Sequence, residues 1–410
     1  ATGECSTSEA AAFRGGAGAS AVQVGTGYST GNGEDRYQAL GATRFGNVAG
    51  LAAVSYRDAG NIDLGDGSTL QNNEKLTSGL VKGQYAFAPG NDATLSWQGY
   101  RGDATEPNNP QGVGSGGKVD KDLTNDTVRL GYDLAPPTVD WLDLELTAGY
   151  ARNRVDEKVI DGNGTSPIGT KLRRHVDSYS LRLDNRQDLP IGDLGTVRVT
   201  YGAEGFYDDQ DGSSTASADG ERDGVPDAQA LTGAGFLQGE FTFATGMGDF
   251  LVVPGIRFDY FRNNADGQDS MDADEFSPKI GVTYMPTDWL SIFGSYAHAF
   301  SAPTFDELYA DGTHFTIGPI INSFVANPDL KPQTANNFEV GAGLQFDDIL
   351  SSGDYFELKG SYYYYDVEDY IDLVVDQPEI VDACFIPPRF GIDCDGTTQA
   401  QNVADAKLYG

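Results

Sequence analysis

Hydrophobic and polar residues alternate with a period of two along most of the chain. In the segment 142–150, leucine, alanine and tyrosine occupy every second position, and aspartate, glutamate, threonine and glycine occupy the positions between them. The same alternation recurs in the segments 127–134, 196–203 and 355–364. Successive side chains of a β-strand point to opposite faces, so this pattern predicts strands that have one apolar face and one polar face.

Two of the predicted strands are long. The segments 141–155 and 354–373 each read as one strand. A strand in a soluble sheet usually has about 5–6 residues, whereas a strand that crosses a membrane needs about 9–11 within the hydrocarbon layer. No run in the sequence approaches the roughly 20 apolar residues of a membrane-spanning helix. The strand lengths therefore favour a membrane β-barrel over a soluble sandwich.

The connections between the predicted strands alternate in length. Short ones lie at 46–47, 89–91, 135–140, 189–195, 246–248, 286–288 and 347–353. Longer, mostly polar ones lie at 29–35, 58–73, 103–122, 156–171, 208–228, 262–274, 300–332 and 374–400. This alternation is typical of a barrel whose short turns face the periplasm and whose long loops face outside the cell. It predicts an all-β fold, an antiparallel transmembrane β-barrel with about 16 strands.

Composition and charge fit this fold class and narrow the function. Hydrophobic residues make up 39% of the chain, and its 21 Tyr and 21 Phe cluster near predicted strand ends, where aromatic rings prefer the bilayer interface. The net charge of −34 repels nucleic-acid phosphates, so no nucleic-acid partner is expected. No nucleophile and base fit together on a barrel wall, and the sequence predicts no enzyme. Because no composition break appears, residues 1–410 are interpreted as one barrel domain.

The long connection at 300–332 differs from the others because it carries apolar as well as polar residues. It begins with Phe-Ser-Ala-Pro at 300–303, ends with Asn-Pro-Asp-Leu at 327–330, and holds His314 between them. This arrangement resembles the TonB-dependent outer-membrane receptors, in which a Phe-Arg-Ala-Pro-like box and an Asn-Pro-X-Leu box bracket one extracellular loop. The first box departs from that pattern at Ser301, which stands where the family has arginine.

A histidine between the two boxes resembles the haem and haemoglobin receptor branch of this family. The resemblance implies that His314 is an axial ligand of haem iron, and a neutral imidazole suits that role. Phe305, Phe315 and Phe324 are expected to cover the porphyrin faces. The implied activity is active uptake of haem, which arrives free or from a haemoprotein or hemophore.

The resemblance also implies where the protein works and with what. The expected location is the outer membrane of a Gram-negative bacterium, which the chain would cross many times. The implied partners are haem or its carrier protein, the TonB–ExbB–ExbD energy-transducing system, and the lipid and lipopolysaccharide of that membrane. Uptake of this kind makes and breaks no bonds beyond iron ligation.

Two further histidines and the cysteines complete the candidate chemistry. His298 is expected to pack at the aqueous rim, and His175 is an alternative second haem ligand, a role that the family commonly gives to a plug-domain histidine. Cys384 and Cys394 lie ten positions apart in a stretch rich in Pro, Gly and Asp, which suits a disulfide in an oxidising compartment. Cys5 is left over. Acidic stretches at 208–212 and 266–269 resemble fragments of calcium-binding loops, so a loop calcium ion is a further candidate ligand.

The family pattern sets an expectation for the ends of the chain. A TonB-dependent receptor has an N-terminal plug domain followed by a barrel of about 22 strands. The sequence contains no counterpart of the plug domain, the signal peptide or about six C-terminal strands. The expectation is therefore an incomplete barrel.

Three rival functions remain open at this point. The first is a TonB-dependent receptor for a ferric siderophore or another nutrient, which would share both boxes. The second is a passive porin of about 16 strands, which would share the wall but has no use for a bracketed histidine. The third is a structural or adhesive barrel, which binds no small ligand.

Overall fold

The computed structural model describes residues 20–70, 73–107, 117–161, 166–192, 195–317, 319–377, 384 and 394–410, without the side chain at 317. These residues contain twenty strands and one short helix, α1 (Phe305–Tyr309). The strands are β1 (Ser20–Ser29), β2 (Glu34–Phe45), β3 (Val48–Ala59), β4 (Ile62–Asp63), β5 (Thr69–Leu70), β6 (Asn73–Ala88), β7 (Asn91–Pro107), β8 (Lys118–Leu134), β9 (Leu144–Asp161), β10 (Lys171–Pro190), β11 (Thr196–Ser214), β12 (Ala228–Thr245), β13 (Gly248–Ala265), β14 (Met271–Thr287), β15 (Leu290–Ser301), β16 (Gly312–Ile317), β17 (Ile320–Phe324), β18 (Gln333–Asp347), β19 (Tyr355–Asp376) and β20 (Gly396–Tyr409). In the described part of the chain, no helix has the length and apolar character needed to cross a bilayer.

The main sheet is an up-and-down antiparallel wall. It contains 18 strands, of which β16 and β17 form a hairpin within a loop, so sixteen strands make up the wall. Each wall strand pairs with the next wall strand along the chain, from β1 to β20. Within the described residues β1 and β20 do not pair with each other, and the beginning of β20 pairs with β17 on the side away from β19. The predicted all-β barrel fold and the count of about 16 strands are confirmed.

The wall has one apolar and one polar face, as the alternation predicts. On β10, Leu181 and Leu183 are exposed on one face, while Arg182 and Asp184 form an ion pair on the other. The same division holds on neighbouring strands because cross-strand partners lie on the same face of a sheet. An exposed apolar face of this kind is what a lipid-facing barrel wall requires.

Side chains of five neighbouring strands, four of them aromatic, form a row across the apolar face of the wall. In order from β7 to β11, the strand register aligns Trp97, Val128, Tyr150, Tyr179 and Tyr207. The ring centroids of Tyr150 and Tyr179 lie 5.1 Å apart, and those of Tyr179 and Tyr207 lie 6.3 Å apart. The row brings amphipathic rings to one level of the wall, as an interfacial aromatic belt does.

Several strands run farther toward the long-loop rim than the sequence predicts. β11 continues to Ser214 and pairs with β12 as far as Gln210 opposite Ala228, so the stretch 208–214 is strand rather than loop. Hydrophobic periodicity missed this extension because its side chains are mostly polar. Strand pairing holds it extended, together with side-chain hydrogen bonds such as those of Gln210 with Arg174 and with the Pro226 carbonyl oxygen. At the other rim β9 begins at Leu144 rather than at 141.

The loop between β15 and β18 folds inward onto the polar side of the wall. Tyr309 of α1 is buried, and its hydroxyl donates to the Asn263 carbonyl oxygen at 3.0 Å. An ion pair of 3.0 Å joins Asp306 of α1 to Arg174 on β10. The apolar cluster under the loop comprises Ala228, Ala230, Phe261, Met271, Leu308, Tyr309, Leu330, Ile371 and Ala400. These residues come from five wall strands as well as the loop, so the loop is anchored across the wall.

The two sequence boxes hold the ends of this loop in place. Pro303 of the first box is fully buried, and its carbonyl oxygen accepts a hydrogen bond from the Asn263 side chain at 3.3 Å. Leu330 of the second box is 3% exposed and belongs to the apolar cluster. Thr304 and Glu307 form a capping box that starts α1 immediately after Pro303. The boxes thus fix the frame within which the central part of the loop, with His314, is presented.

Candidate functional site

His314 lies at a β-bulge in the hairpin formed by β16 and β17. Thr313 pairs with Ser323 and Phe315 pairs with Asn322, so His314 is the extra residue on its strand. A bulge re-aims a side chain, and bulges are frequent beside functional sites. His314 is exposed, so its imidazole is not buried inside the hairpin.

Two aromatic rings and one hydroxyl contact the His314 imidazole. The Phe324 ring centroid lies 4.4 Å from the imidazole centroid with an interplanar angle of 31°, and the Phe315 centroid lies 5.0 Å away at 67°. The imidazole Nδ1 lies 2.9 Å from Thr398 Oγ1. Within the described residues, the imidazole Nε2 has no hydrogen-bond or ion-pair partner. Nε2 is therefore the ring atom that is available to an external ligand.

The hairpin that carries His314 is supported from behind. β17 runs parallel to the beginning of β20, with Asn322 opposite Gly396. Cys384 and Cys394 form a disulfide, and both are buried with Ile320 of β17 in a small apolar cluster. Because the disulfide packs on the strand next to β16, it limits how far the hairpin can move.

The connection between β11 and β12 packs against the same hairpin. The Gly224 amide donates to the Asp311 carbonyl oxygen at 2.8 Å. A Cβ atom at Gly224 would lie 3.1 Å from the Phe324 ring, and the φ of +73° favours glycine there. Burial, and then the charge of Asp223, raise the pKa of the Asp311 carboxyl group. Two long loops therefore meet beside His314.

The structure brings two of the three expected phenylalanines to His314 and corrects the third. Phe305 is the first residue of α1 and packs against the apolar cluster that contains Leu308 and Tyr309. The sequence placed Phe305 beside the histidine because both lie between the boxes. The helix, however, turns its apolar side toward the wall, so Phe305 anchors the loop.

The other two histidines have partners on the wall. His175 Nε2 lies 3.4 Å from Asp156 Oδ1. His298 Nδ1 lies 3.2 Å from Asn336 Oδ1, and its Nε2 lies 3.7 Å from Glu275 Oε1. In the described contacts neither histidine touches His314, so the structure assembles no histidine pair there.

The candidate calcium stretches do not form a cation site in the structure. Residues 208–212 lie within β11, where Asp209 and Asp211 share one face and Asp208 lies on the other, so the three carboxylates do not surround one point. The stretch 266–269 forms the short turn between β13 and β14. Among the described residues, no group of three or more His, Cys, Asp or Glu is arranged to hold a metal ion.

A chain of ion pairs crosses the polar face of β10, β11 and β13. Arg182 contacts Asp184 at 2.9 Å and Glu204 at 3.2 Å. Arg257 contacts Glu204 at 2.6 Å and Asp259 at 2.7 Å. The Asp184 and Glu204 side chains are only 3% and 9% exposed. Sequence alternation marks these positions as polar, but it cannot identify the partners, which depend on strand register.

A concave region of about 770 Å³ lies beside these ion pairs on the polar face. At the edge of this region, the Arg182 guanidinium lies 5.0 Å from the Phe236 ring centroid. The lining includes Arg182, Arg198, Phe236, Arg257, His298 and Phe300. Arginines pair with carboxylates and also stack on planar aromatic systems. Glu240 and Asp259 belong to the same lining, so the region presents guanidinium groups beside carboxylates and aromatic rings.

Comparison with known proteins agrees with the architecture. The family model described as "TonB dependent receptor-like, beta-barrel" matches residues 55–410. The Hemin receptor of Yersinia enterocolitica is 31% identical over 394 residues, which cover 93% of this chain and 54% of that protein. Heme/hemopexin utilization protein C of Haemophilus influenzae is 25% identical over 397 residues, covering 84% of this chain and 53% of that protein. The chain thus spans about half the length of these relatives.

Solved structures share the fold at lower sequence identity. The hemophore receptor HasR of Serratia marcescens, a double mutant in complex with its hemophore HasA and heme, gives a TM-score of 0.75 at 19% identity, covering 96% of this chain and 60% of that one. The FrpB iron transporter of Neisseria meningitidis gives a TM-score of 0.70 at 15% identity, covering 99% and 60%. At these identities the likeness establishes the fold and leaves the cargo to other evidence.

Proposed function

The chain belongs to the TonB-dependent receptor β-barrel family, and from this premise we propose that it is the barrel portion of a haem receptor. Haem is the cargo, His314 is its axial iron ligand at the outer mouth, and the receptor passes haem into the periplasm. One observation carries the proposal: an exposed imidazole stands on a bulge between two aromatic rings, inside the loop bracketed by the two family boxes. The hemin receptors among the relatives support the same cargo.

The chemistry of the hairpin suits haem. An unoccupied Nε2 supplies the lone pair that haem iron accepts from a histidine. Phe324 and Phe315 provide apolar, planar surface next to that nitrogen, which suits the porphyrin ring. Among the described residues, His314 is the one histidine at the hairpin, and in this proposal the second axial ligand comes from the hemophore, a haemoprotein or another part of the receptor.

The polar face of the wall offers a route for the anionic cargo. Haem carries two propionates, and arginine guanidinium groups pair with carboxylates through two hydrogen bonds. Arg182, Arg198 and Arg257 line the concave region on this face. In the proposal these arginines meet the propionates after haem leaves the outer mouth.

The proposed setting is the outer membrane of a Gram-negative bacterium. The exposed apolar face and the aromatic row contact lipid and lipopolysaccharide, and the long loops face outward to meet free haem, a haemoprotein or a hemophore. Energy for release comes from the TonB–ExbB–ExbD system in the inner membrane. The activity is transport, with no covalent chemistry on the cargo.

A hemin titration of the purified protein tests this proposal. His314→Ala should weaken hemin binding by at least about tenfold and shift the Soret band, because the axial ligand is removed. His175→Ala is the matched control, because His175 lies on the same face of β10 as Leu181 and does not line the concave region, and it should leave the Soret band unchanged. Equal affinities and equal spectra for the wild type and His314→Ala would contradict the proposal, and tight binding of a ferric siderophore instead would favour the rival cargo.

A further inference from the structure

Two buried polar side chains stand directly behind His314. Thr398 and Asn322 are both fully buried, on β20 and β17 respectively. Thr398 Oγ1 lies 2.9 Å from His314 Nδ1 and 2.6 Å from Asn322 Oδ1. Asn322 Nδ2 lies 3.1 Å from the carbonyl oxygen of Asp376. These contacts form one continuous relay from a backbone carbonyl of β19 to the imidazole.

The direction of every hydrogen bond in this relay follows from its far end. A backbone carbonyl oxygen only accepts, so the Asn322 amide nitrogen must face Asp376, and Asn322 Oδ1 must face Thr398. An amide oxygen also only accepts, so Thr398 donates its single hydroxyl proton to Asn322. The Thr398 oxygen is left with lone pairs toward His314, and therefore Nδ1 of the imidazole must carry the proton.

From this geometry we propose that the Thr398–Asn322 relay fixes the tautomer of His314. The relay holds the proton on Nδ1 and keeps the lone pair on Nε2, the nitrogen that has no partner among the described residues. Metal-ligating histidines usually donate their other ring N–H to a protein acceptor, which orients the ring and raises its basicity. Thr398 and Asn322 are positioning residues for the ligand, and this role in haem binding rests on the function proposed above.

Burial gives the relay its strength. Turning the Thr398 hydroxyl toward His314 would require the Nε2–H tautomer and would leave the buried Asn322 Oδ1 without its donor. An unsatisfied buried polar group costs about 1–3 kcal/mol, which corresponds to roughly a fivefold or larger preference for the observed direction. The parallel pairing of β17 with β20, in which Asn322 lies opposite Gly396 and Phe324 opposite Thr398, places Asn322 and Thr398 two positions apart on neighbouring strands.

Nitrogen NMR of the ligand-free protein tests the tautomer directly. In the full protein with ¹⁵N-labelled histidine at alkaline pH, the His314 signals are assigned by their loss in His314→Gln. Wild type and Thr398→Ser should show predominantly the Nδ1–H tautomer. Thr398→Val, which keeps the shape but removes the acceptor, should shift the population toward Nε2–H. Asn322→Leu frees the Thr398 proton for Nδ1, so it should also favour Nε2–H.

The same variants then receive hemin. Thr398→Val should weaken hemin binding by about tenfold to a hundredfold, and Thr398→Ser should restore it. An unchanged His314 tautomer in Thr398→Val, in protein whose strand content matches wild type, would overturn the relay. A changed tautomer with unchanged hemin affinity would instead count against iron ligation by His314, so the two proposals fail separately.

Discussion

The His314 hairpin at the proposed outer mouth and the ion pairs on the polar face of the wall, here called the inner wall, use charged and polar side chains in opposite ways. At the outer mouth, one exposed imidazole has an open nitrogen, and its buried partners leave that nitrogen free. On the inner wall, Arg182 and Arg257 share the carboxylate of Glu204. The first arrangement keeps a bonding position open, whereas the second satisfies charges within the protein.

This difference separates binding from stability. A group that is held open contributes little to folding but decides whether a ligand is captured. A group in a nearly buried chain of ion pairs contributes to the stability of the wall, because removing one charged member leaves its partners without a counter-charge. Substitutions at the outer mouth should therefore change haem affinity, and substitutions in the ion-pair chain should change the free energy of unfolding.

Among changes that leave the His314 imidazole and its relay intact, breaking the disulfide should have the largest effect on hemin binding. A disulfide typically contributes about 2–4 kcal/mol to the free energy of unfolding, because it restricts the segment that it closes. The double substitution Cys384→Ser and Cys394→Ser should loosen β17 and lower hemin affinity by about tenfold or more, while circular dichroism shows an intact wall. Cys5→Ser is the matched control and should bind hemin like wild type. Equal affinity in the double variant would mean that the disulfide does not support the site.

Removing the shared carboxylate should have the largest effect on the wall. Glu204→Gln leaves Arg182 and Arg257 without a common partner, and it should lower the free energy of unfolding by about 1–3 kcal/mol, since Arg182 is half exposed and partly solvated. Urea unfolding in micelles measures this change, and hemin affinity should stay the same.

An exposed ion pair on the same face calibrates that result. Arg198 and Asp188 lie 2.8 Å apart with both side chains more than half exposed. Asp188→Asn should cost less than about 1 kcal/mol, because water screens such a pair. A larger loss in Asp188→Asn than in Glu204→Gln would contradict the idea that the nearly buried carboxylates hold the ion-pair chain.

Replacing Phe324, whose ring contacts the His314 imidazole, should have a smaller effect on hemin binding. Phe324→Leu removes a ring whose centroid lies 4.4 Å from the His314 imidazole centroid at an interplanar angle of 31°, and such aromatic contacts are worth about 0.5–1.5 kcal/mol. Hemin affinity should fall by about twofold to tenfold. Phe305→Leu, in the anchoring helix, should lower stability more than affinity. A larger loss of hemin affinity in Phe305→Leu than in Phe324→Leu would instead support Phe305 as part of the proposed haem site.

Substituting Asp311, where the two long loops meet, should give the smallest effect, and the sign of its effect on stability depends on pH. Burial and Asp223 raise the pKa of Asp311, so its ionised form is disfavoured in the folded protein. The stabilising contribution is present at low pH and is lost as the pH rises through the raised pKa. Asp311→Asn should therefore slightly raise the unfolding temperature at neutral pH.

A second loop carboxylate provides a control of opposite sign. Hydrogen bonds from the side chain and then the backbone of Ser68 lower the pKa of Asp66. Its contribution is present at neutral pH and is lost as the pH falls through the lowered pKa, so Asp66→Asn should lower the unfolding temperature. Shifts of the same sign in both variants would contradict the assignment at Asp311.

Much of the fold could be predicted because a half-apolar strand leaves a clear mark in the sequence. Leu181 and Leu183 alternate with Arg182 and Asp184, and that alternation alone indicates both faces of β10. The polar end of β11 left no such mark, since nothing there is buried against lipid. Strand ends beyond the membrane are determined by backbone pairing, which single-sequence periodicity does not report.

The candidate site was predictable only where a local motif carried it. His314 stands between two boxes whose spacing is visible in the sequence, and Phe315 follows it directly. Thr398 and Asn322 lie 84 and 8 positions away from His314 and meet only because β17 pairs in parallel with β20. No pattern of periodicity predicts a parallel pairing within a loop, so the relay was found from the structure.

The haem-bound structure of the protein tests the central claim most directly. A cryo-electron microscopy map of the full receptor with hemin should show continuous density between the iron and Nε2 of His314, with Nδ1 still against Thr398. That result would establish both the ligand and its orientation. Iron bound through Nδ1, or haem seated away from the β16–β17 hairpin, would contradict the account.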